Sequence, residues 1–238
     1  MSPKKIHQKL ESDIEKGLGK KYVKFTEDSF SWQYLEKPAF DKLVLPKINK
    51  KIKILEAGCG NGRIIEYLLN KGIPSKNIVG LDIDDKLLKV AKNNFPLVRF
   101  LHKDLSAWKS KEKFDFIICN FVLHYFGPEV TQKILKNFYL SLKSGGLLYF
   151  MVPHPIRWVR NDLKQYFKRK IKLVETPWNT KIPYFHKTIA DYMNLTIGSG
   201  FEIVCIEEPE VSKEGKKEKD KYLRYVSSPS RLAVLARK

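Results

Sequence analysis

The chain has 238 residues, 43% hydrophobic and 30% charged, which suits one globular unit with a sizeable core. No apolar run approaches the roughly 18 residues of a membrane-spanning helix, and no apolar stretch follows the basic residues 1–9, so the expected location is the cytoplasm. The net charge of +19 raises nucleic acid as a partner, but lysine dominates the 45 basic residues and runs along the whole chain; charge alone specifies no partner.

Residues 1–49 hold helical patches and the aromatic group Phe30, Trp32, Tyr34 and Phe40, and are expected to form an N-terminal helical cap. From residue 50, short apolar runs alternate with helical patterns, the signature of a parallel sheet covered on both faces. Strands are expected at 52–56, 78–82, 98–101, 114–120, 147–152, 201–207 and 232–236, and helices at 63–71, 85–94, 129–143 and 187–199. Lys143-Ser144-Gly145-Gly146 reads as a glycine stop to the third of these helices.

The expected organisation is a single domain with a core at 50–152, an insertion at 153–186, and the end of the sheet at 187–238. The insertion holds Trp158, Trp178, Tyr184 and Phe185; a connection this long suits a lid, or a satellite core, or both. Basic residues are densest at 4–24, 164–172 and 213–224, the last reading as a loop. Cys59, Cys119 and Cys205 are odd in number and far apart, which fits neither a disulfide framework nor a zinc site.

The most informative stretch is Glu56-Ala57-Gly58-Cys59-Gly60-Asn61-Gly62-Arg63, between the first strand and the first helix of the alternation. Glycine at alternate positions lets the backbone bend and approach a ligand closely. A dinucleotide fingerprint would need glycine where Arg63 stands. Further polar residues fall at the carboxyl ends of later strands, where open α/β sheets bind ligands. Asp82 ends the second strand, Asp104 follows the third, and Asn120 ends the fourth. Singly, Asp82 reads equally as a helix cap and Asp104 as a turn former. Together after a glycine loop they point to a nucleoside ligand, with Asp82 able to accept from two ribose hydroxyls.

The E-x-G-x-G-x-G segment resembles the first motif of the class I S-adenosylmethionine-dependent methyltransferases, and residues 52–152 continue that resemblance. It implies an α/β, Rossmann-like, doubly wound seven-stranded sheet whose last strand inserts antiparallel, with S-adenosylmethionine as cofactor and S-adenosylhomocysteine as product. It further implies that Glu56, Ala57, Gly58, Cys59, Gly60 and Gly62 wrap the methionine part and that Asp82 holds the ribose. Ile83 would pack on adenine, Asp104 accept from its amine beside Leu105, and Asn120 and Phe121 line the methionine side. Later stretches, among them Tyr34-Leu35-Glu36, His154-Pro155, Tyr184-Phe185-His186 and Pro229-Ser230-Arg231, resemble a small-molecule branch of that superfamily.

Methyl transfer from a sulfonium is an in-line displacement that needs alignment and exclusion of water, and a base only where the nucleophile arrives protonated. His124, His154 and His186 are the candidates to orient or deprotonate an acceptor, each with a structural hydrogen bond as its alternative. Tyr22, Trp32 and Tyr34 are candidates to cover the sulfonium. The fourth-strand sequence Asn-Phe-Val-Leu differs from the Asn/Asp-Pro-Pro-Tyr/Phe pattern of exocyclic-amine methyltransferases, and no P-loop lysine, Gly-x-Ser-x-Gly elbow or metal-ligand cluster is present in the sequence. The expected activity is methyl transfer to oxygen or nitrogen of a small molecule. The rivals are an RNA methyltransferase that grips phosphate with its lysines, and a cofactor-binding partner subunit without transfer activity.

Overall fold

The computed structural model describes Lys24, residues 29–176, residues 181–218, Leu223, Tyr225 and residues 229–238. Nine strands lie among these residues: β1 (Ile54–Ala57), β2 (Ile78–Asp82), β3 (Arg99–His102), β4 (Phe114–Asn120), β5 (Leu142–Pro153), β6 (Ile171–Glu175), β7 (Lys181–Phe185), β8 (Glu202–Glu207) and β9 (Arg231–Arg237). Seven of them form one sheet in the order β3-β2-β1-β4-β5-β9-β8. Pairing is parallel from β3 to β5, and β9 enters antiparallel to both β5 and β8, as the resemblance implies.

Alternation along the strands assigns the two faces of this sheet, because successive side chains in a strand point to opposite sides. Leu55, Ala57, Ile117, Cys119, Leu148 and Phe150 pack with helix α4 (Pro128–Ser141) and with Tyr192 of α5 (Ile189–Ile197). Ile54, Ile78, Phe116, Ile118, Tyr149 and Met151 pack instead with α1 (Lys37–Leu43), α2 (Arg63–Asn70) and α3 (Asp85–Asn94). Both faces of β1 are therefore dry, and every residue of it is buried. The parallel strands read as continuous apolar runs for that reason.

Two features depart from the sequence expectation. The helix expected at 129–143 ends at Ser141, and Leu142 already pairs with Phe114. The register then slips, so that Phe116 pairs with Leu147, and Gly145 takes φ +71° within the extra length. Lys143, expected to end the helix, holds Asp115 at 2.8 Å and pins this bulge to the start of β4. The glycines thus serve an irregular strand rather than a helix stop.

The segment 153–186, where no strand was expected, contains the antiparallel pair β6–β7. Val174, Ile182 and Tyr184 form a small core with Tyr125 and Trp158, so the satellite-core reading holds for this segment. Its exit is tied down tightly. The fully buried Lys187 ammonium donates to the Leu123 and Phe126 carbonyls at 3.1 and 2.5 Å, and Thr188 caps α5 in a reciprocal box with Asp191. Among the described residues no helix is long and apolar enough to cross a membrane.

Before β1, the chain makes a π-helical turn, Trp32–Glu36, that runs into α1. Glu36 and Arg231, 195 residues apart, meet there through two bonds of 2.9 and 2.7 Å, and both side chains are buried. Burial alone would raise the Glu36 carboxyl, but the charges of Arg231 and Arg63 outweigh it and hold the group below the usual range. Removing one member leaves a buried charge uncompensated. Arg231→Met or Glu36→Gln should each cost about 3 kcal/mol in urea denaturation, and the double variant should lose less than the sum of the two.

Candidate active site

The turn after β1 is built from left-handed backbone that favours glycine. Gly58, Gly60 and Gly62 take φ of +82°, +54° and +89°. Space forbids a side chain as well as torsion: a Cβ on Gly58 would lie 2.2 Å from Val122 Cγ2, and one on Gly62 would lie 2.8 Å from the Phe95 ring. The loop folds back on the end of β2. The Gly58 and Cys59 N–H groups donate to the Leu81 carbonyl at 2.7 and 3.0 Å, and the Gly60 N–H donates to Asp82 Oδ2 at 2.7 Å. Gly62 then caps α2.

Asp82 thereby anchors the loop. Its other oxygen accepts from the Asp84 N–H at 2.9 Å, while Asp84, not Asp82, caps α3. A carboxylate has four lone pairs; the Gly60, Asp84 and Ile83 N–H groups engage three, which leaves room for a further donor. Burial pushes the Asp82 carboxyl up, against the pull of the Asp84, Gly60 and Ile83 N–H groups. Glu56 lies at the end of the neighbouring strand, on the face that α2 covers, near that helix's first turn. Burial pushes its carboxyl well up; Arg63 and the Ile65 N–H oppose the shift and Asp82 adds to it.

Asp104 stands just beyond β3, where its two oxygens accept from the Ser106 N–H at 2.8 Å and the Ser106 hydroxyl at 2.7 Å. It forms the turn considered above while staying at the same edge of the sheet as Asp82. Leu105 is buried in the main core. The Ile83 carbonyl accepts from the His102 ring at 2.8 Å. At the end of β4, Phe121 adopts φ +55°, held by its N–H bond to the Met151 carbonyl at 2.7 Å. Such strain in a non-glycine residue collects at functional positions.

Three side-chain atoms around this loop are buried with no hydrogen-bond partner: Glu56 Oε2, Arg63 Nη1 and Asn120 Oδ1. Buried polar atoms are normally satisfied. Two acceptors and a cationic donor on the rim of a glycine cradle fit an amino-acid-like group with its own ammonium and carboxylate. The sheet edge thus offers a turn that excludes side chains, carboxylates on three adjacent parallel strands, and unpaired polar atoms beside them.

A methyltransferase-domain family model matches residues 54–146, which contain this edge. A Haemophilus influenzae protein whose function is uncharacterised is 30% identical over 74% of this chain and 77% of its own length. The trans-aconitate 2-methyltransferase of Rhizobium rhizogenes is 29% identical over 56% of this chain, a match that spans about half (48%) of that enzyme. The fold is shared with 1,6-didemethyltoxoflavin N1-methyltransferase of Burkholderia thailandensis, whose structure holds its substrate and S-adenosylhomocysteine. It superposes with a TM-score of 0.66 at 18% identity, covering 100% of this chain and 91% of the other. Residues 54–146 belong to the methyltransferase-domain family, and the fold is that of the class I S-adenosylmethionine-dependent methyltransferases.

Methyl transfer is the activity that the matched family assigns to this domain. The three candidate histidines are placed very differently. His154 donates from Nε2 to Glu208 at 2.6 Å and accepts from the Ile156 N–H on Nδ1 at 3.2 Å. His186 donates from Nε2 to the Tyr166 carbonyl at 2.7 Å. His124 is buried with Nδ1 unpartnered, its ring 4.1 Å from Tyr125 and 5.8 Å from Tyr184. Burial, then the charges of Lys187 and Arg231, push its pKa down to about 3, so the ring is neutral near pH 7.

Trp32 stacks on the Arg63 guanidinium at 4.8 Å, beside the glycine loop. Tyr34 is drawn instead into a cluster with Phe30, Leu35, Val211 and Tyr225. Tyr22 lies outside the described residues. Cys59 and Cys119 are buried, whereas Cys205 on β8 is only partly so. Among the described residues no group of three or more His, Cys, Asp or Glu is arranged to hold a metal ion. Sequence reasoning missed Glu36, Arg63 and Arg231. Arg63 was visible only as the residue that breaks a dinucleotide fingerprint, and Glu36 and Arg231 only as parts of softer stretches.

Glu56 carries a testable linkage. With its folded pKa raised, the unfolded chain releases this proton first, so stability contributed by the protonated acid is lost as pH rises past the ordinary glutamate value of about 4.3. Glu56→Gln should therefore raise the urea midpoint at pH 7 and flatten the decline in stability above about pH 4, while weakening S-adenosylhomocysteine binding. Parallel denaturation and calorimetry series check both effects.

Proposed function

We propose that this methyltransferase moves the methyl group to an oxygen or nitrogen of a small-molecule acceptor held beneath residues 153–186. The cofactor part of the reading rests on the unpaired buried atoms of Glu56, Arg63 and Asn120 around the glycine cradle. In this reading the 56–62 turn and Asn120 and Phe121 enclose the methionine moiety. Asp82 accepts from the ribose hydroxyls, and Ile83, Asp104 and Leu105 border the adenine. Trp32 closes the loop through Arg63. Tyr34 supports the N-terminal cluster from further out.

Bound S-adenosylmethionine supplies an electrophilic methyl group on a sulfonium. What remains for the protein is to align the acceptor and exclude water. His124 is the side chain best placed for alignment. An imidazole this acidic is a poor general base, so Nδ1 accepts a hydrogen bond that orients the acceptor, and the proton leaves after transfer. His154 and His186 act as fasteners of the surrounding loops. Support for a small acceptor comes from the curated relative and the structural neighbour, whose names specify trans-aconitate and 1,6-didemethyltoxoflavin.

Calorimetry with S-adenosylhomocysteine tests the cofactor site. Asp82→Asn and Gly60→Val should each weaken binding by about tenfold or more, the loss of one charge-assisted hydrogen bond or of the turn. Unchanged affinity in both contradicts the assignment.

His124→Asn should lower kcat about tenfold on an accepted substrate and leave S-adenosylhomocysteine affinity alone. Because the ring stays neutral, wild-type kcat should show no histidine limb between about pH 5 and 8. A limb near pH 6.5 that vanishes in the variant would show that His124 does titrate in the complex.

A further inference from the structure

Residues 157–172 line an open-sided cleft of about 640 Å³, within the range of small-molecule sites. Its walls carry Arg157, Arg160, Lys170 and Lys172 against one carboxylate, Asp162. That carboxylate already accepts from Gln165 Nε2 at 2.9 Å. We propose that this cleft is the recognition subsite for the methyl acceptor and that it reads a small organic anion, a carboxylate or phosphate ester. The inference rests on the methyltransferase reading above and names the chemical class of its acceptor.

Arg157 carries most of the argument. Its guanidinium lies over the rings of Trp158 at 5.2 Å and Tyr225 at 5.8 Å. Stacking of this kind fixes the plane of the fork and leaves its N–H edges for an oxyanion. Among the described residues no carboxylate comes within ion-pairing distance of it. Burial, then the neighbouring charge of Arg231, push its pKa down to about 10. It remains a cation at neutral pH, but one whose charge is poorly compensated. Lys172 is pushed down in the same way by burial and by Lys170 and Lys168, with Asp162 opposing. An anion in the cleft would relieve both groups. Trp158 Nε1, a pure donor, is also buried there without a partner.

Two independent paths join this cleft to the reaction centre. Trp158 lies 6.2 Å from Tyr184, which lies 5.8 Å from His124. On the other side Arg157 and Arg231 share the Tyr225 ring, and Arg231 lies over Phe121 at 5.0 Å. One ring, Tyr184, thus separates Trp158 from His124, and one ring, Tyr225, separates Arg157 from the Arg231–Phe121 pair. A half-buried, stacked arginine suits a small ligand; a nucleic-acid backbone would be served by the exposed lysines alone.

The test is calorimetry on the full chain saturated with S-adenosylhomocysteine. The probes are citrate, glycerol 3-phosphate, the neutral ester trimethyl citrate, and a short single-stranded RNA. Citrate or glycerol 3-phosphate should bind, which of them does so distinguishing carboxylate from phosphate recognition, and trimethyl citrate should not. Arg157→Gln and Lys172→Gln should each weaken that binding about tenfold or more while retaining S-adenosylhomocysteine affinity, which also shows that the variants are folded. The proposal is overturned if neither anion binds, if both variants bind the anion as well as wild type, or if only the RNA binds. Failure of wild type to bind S-adenosylhomocysteine would overturn the cofactor reading, and this proposal with it.

Discussion

The single bond from the Gly60 N–H to Asp82 organises this molecule. It holds a turn of three left-handed glycines against the end of β2 and at the same time fixes the carboxylate in place. The turn needs Cβ atoms absent at Gly58 and Gly62, and backbone N–H groups face the carboxylate at its buried edge. Everything proposed about cofactor binding depends on that mutual restraint. A ligand that donates to Asp82 would stabilise the same arrangement from the open side.

A second constraint acts at the opposite wall. Glu36, Arg63 and Arg231 come from three distant parts of the chain and form one buried charged group, with Arg63 Nη2 3.6 Å from Glu36. Buried ion pairs are a poor source of net stability but a strong source of specificity for partner and register. Here the group joins the N-terminal segment, the first helix after the glycine turn, and the last strand. Rings bracket it on two sides: Trp32 over Arg63, and Phe121 and Tyr225 against Arg231. The same Tyr225 ring lies 5.8 Å from the Arg157 guanidinium, which lines the basic cleft.

The central sheet and the glycine turn were legible in the sequence because their causes are local. Continuous apolar runs mark buried parallel strands, and alternate glycines mark backbone that must turn left-handed. Three features were not legible. The bulge at Gly145 depends on Lys143 reaching Asp115 across two strands. The hairpin β6–β7 is short, lysine-rich and contains Pro183, features that count against a strand; the proline fits a two-stranded pair with free outer edges. The Glu36–Arg231 pair spans 195 residues and leaves no local trace. Of the candidate site, the acids and glycines could be named in advance, while the different fates of the three histidines depended on neighbours that only the fold brings near.

The most direct measurement is a crystal structure of the protein with S-adenosylhomocysteine bound. The account predicts that both ribose hydroxyls lie within hydrogen-bonding distance of Asp82 and that the amino-acid end contacts the 56–62 turn and Asn120. A ligand whose ribose touches no carboxylate, or which binds away from the carboxyl ends of β1, β2 and β4, would contradict it.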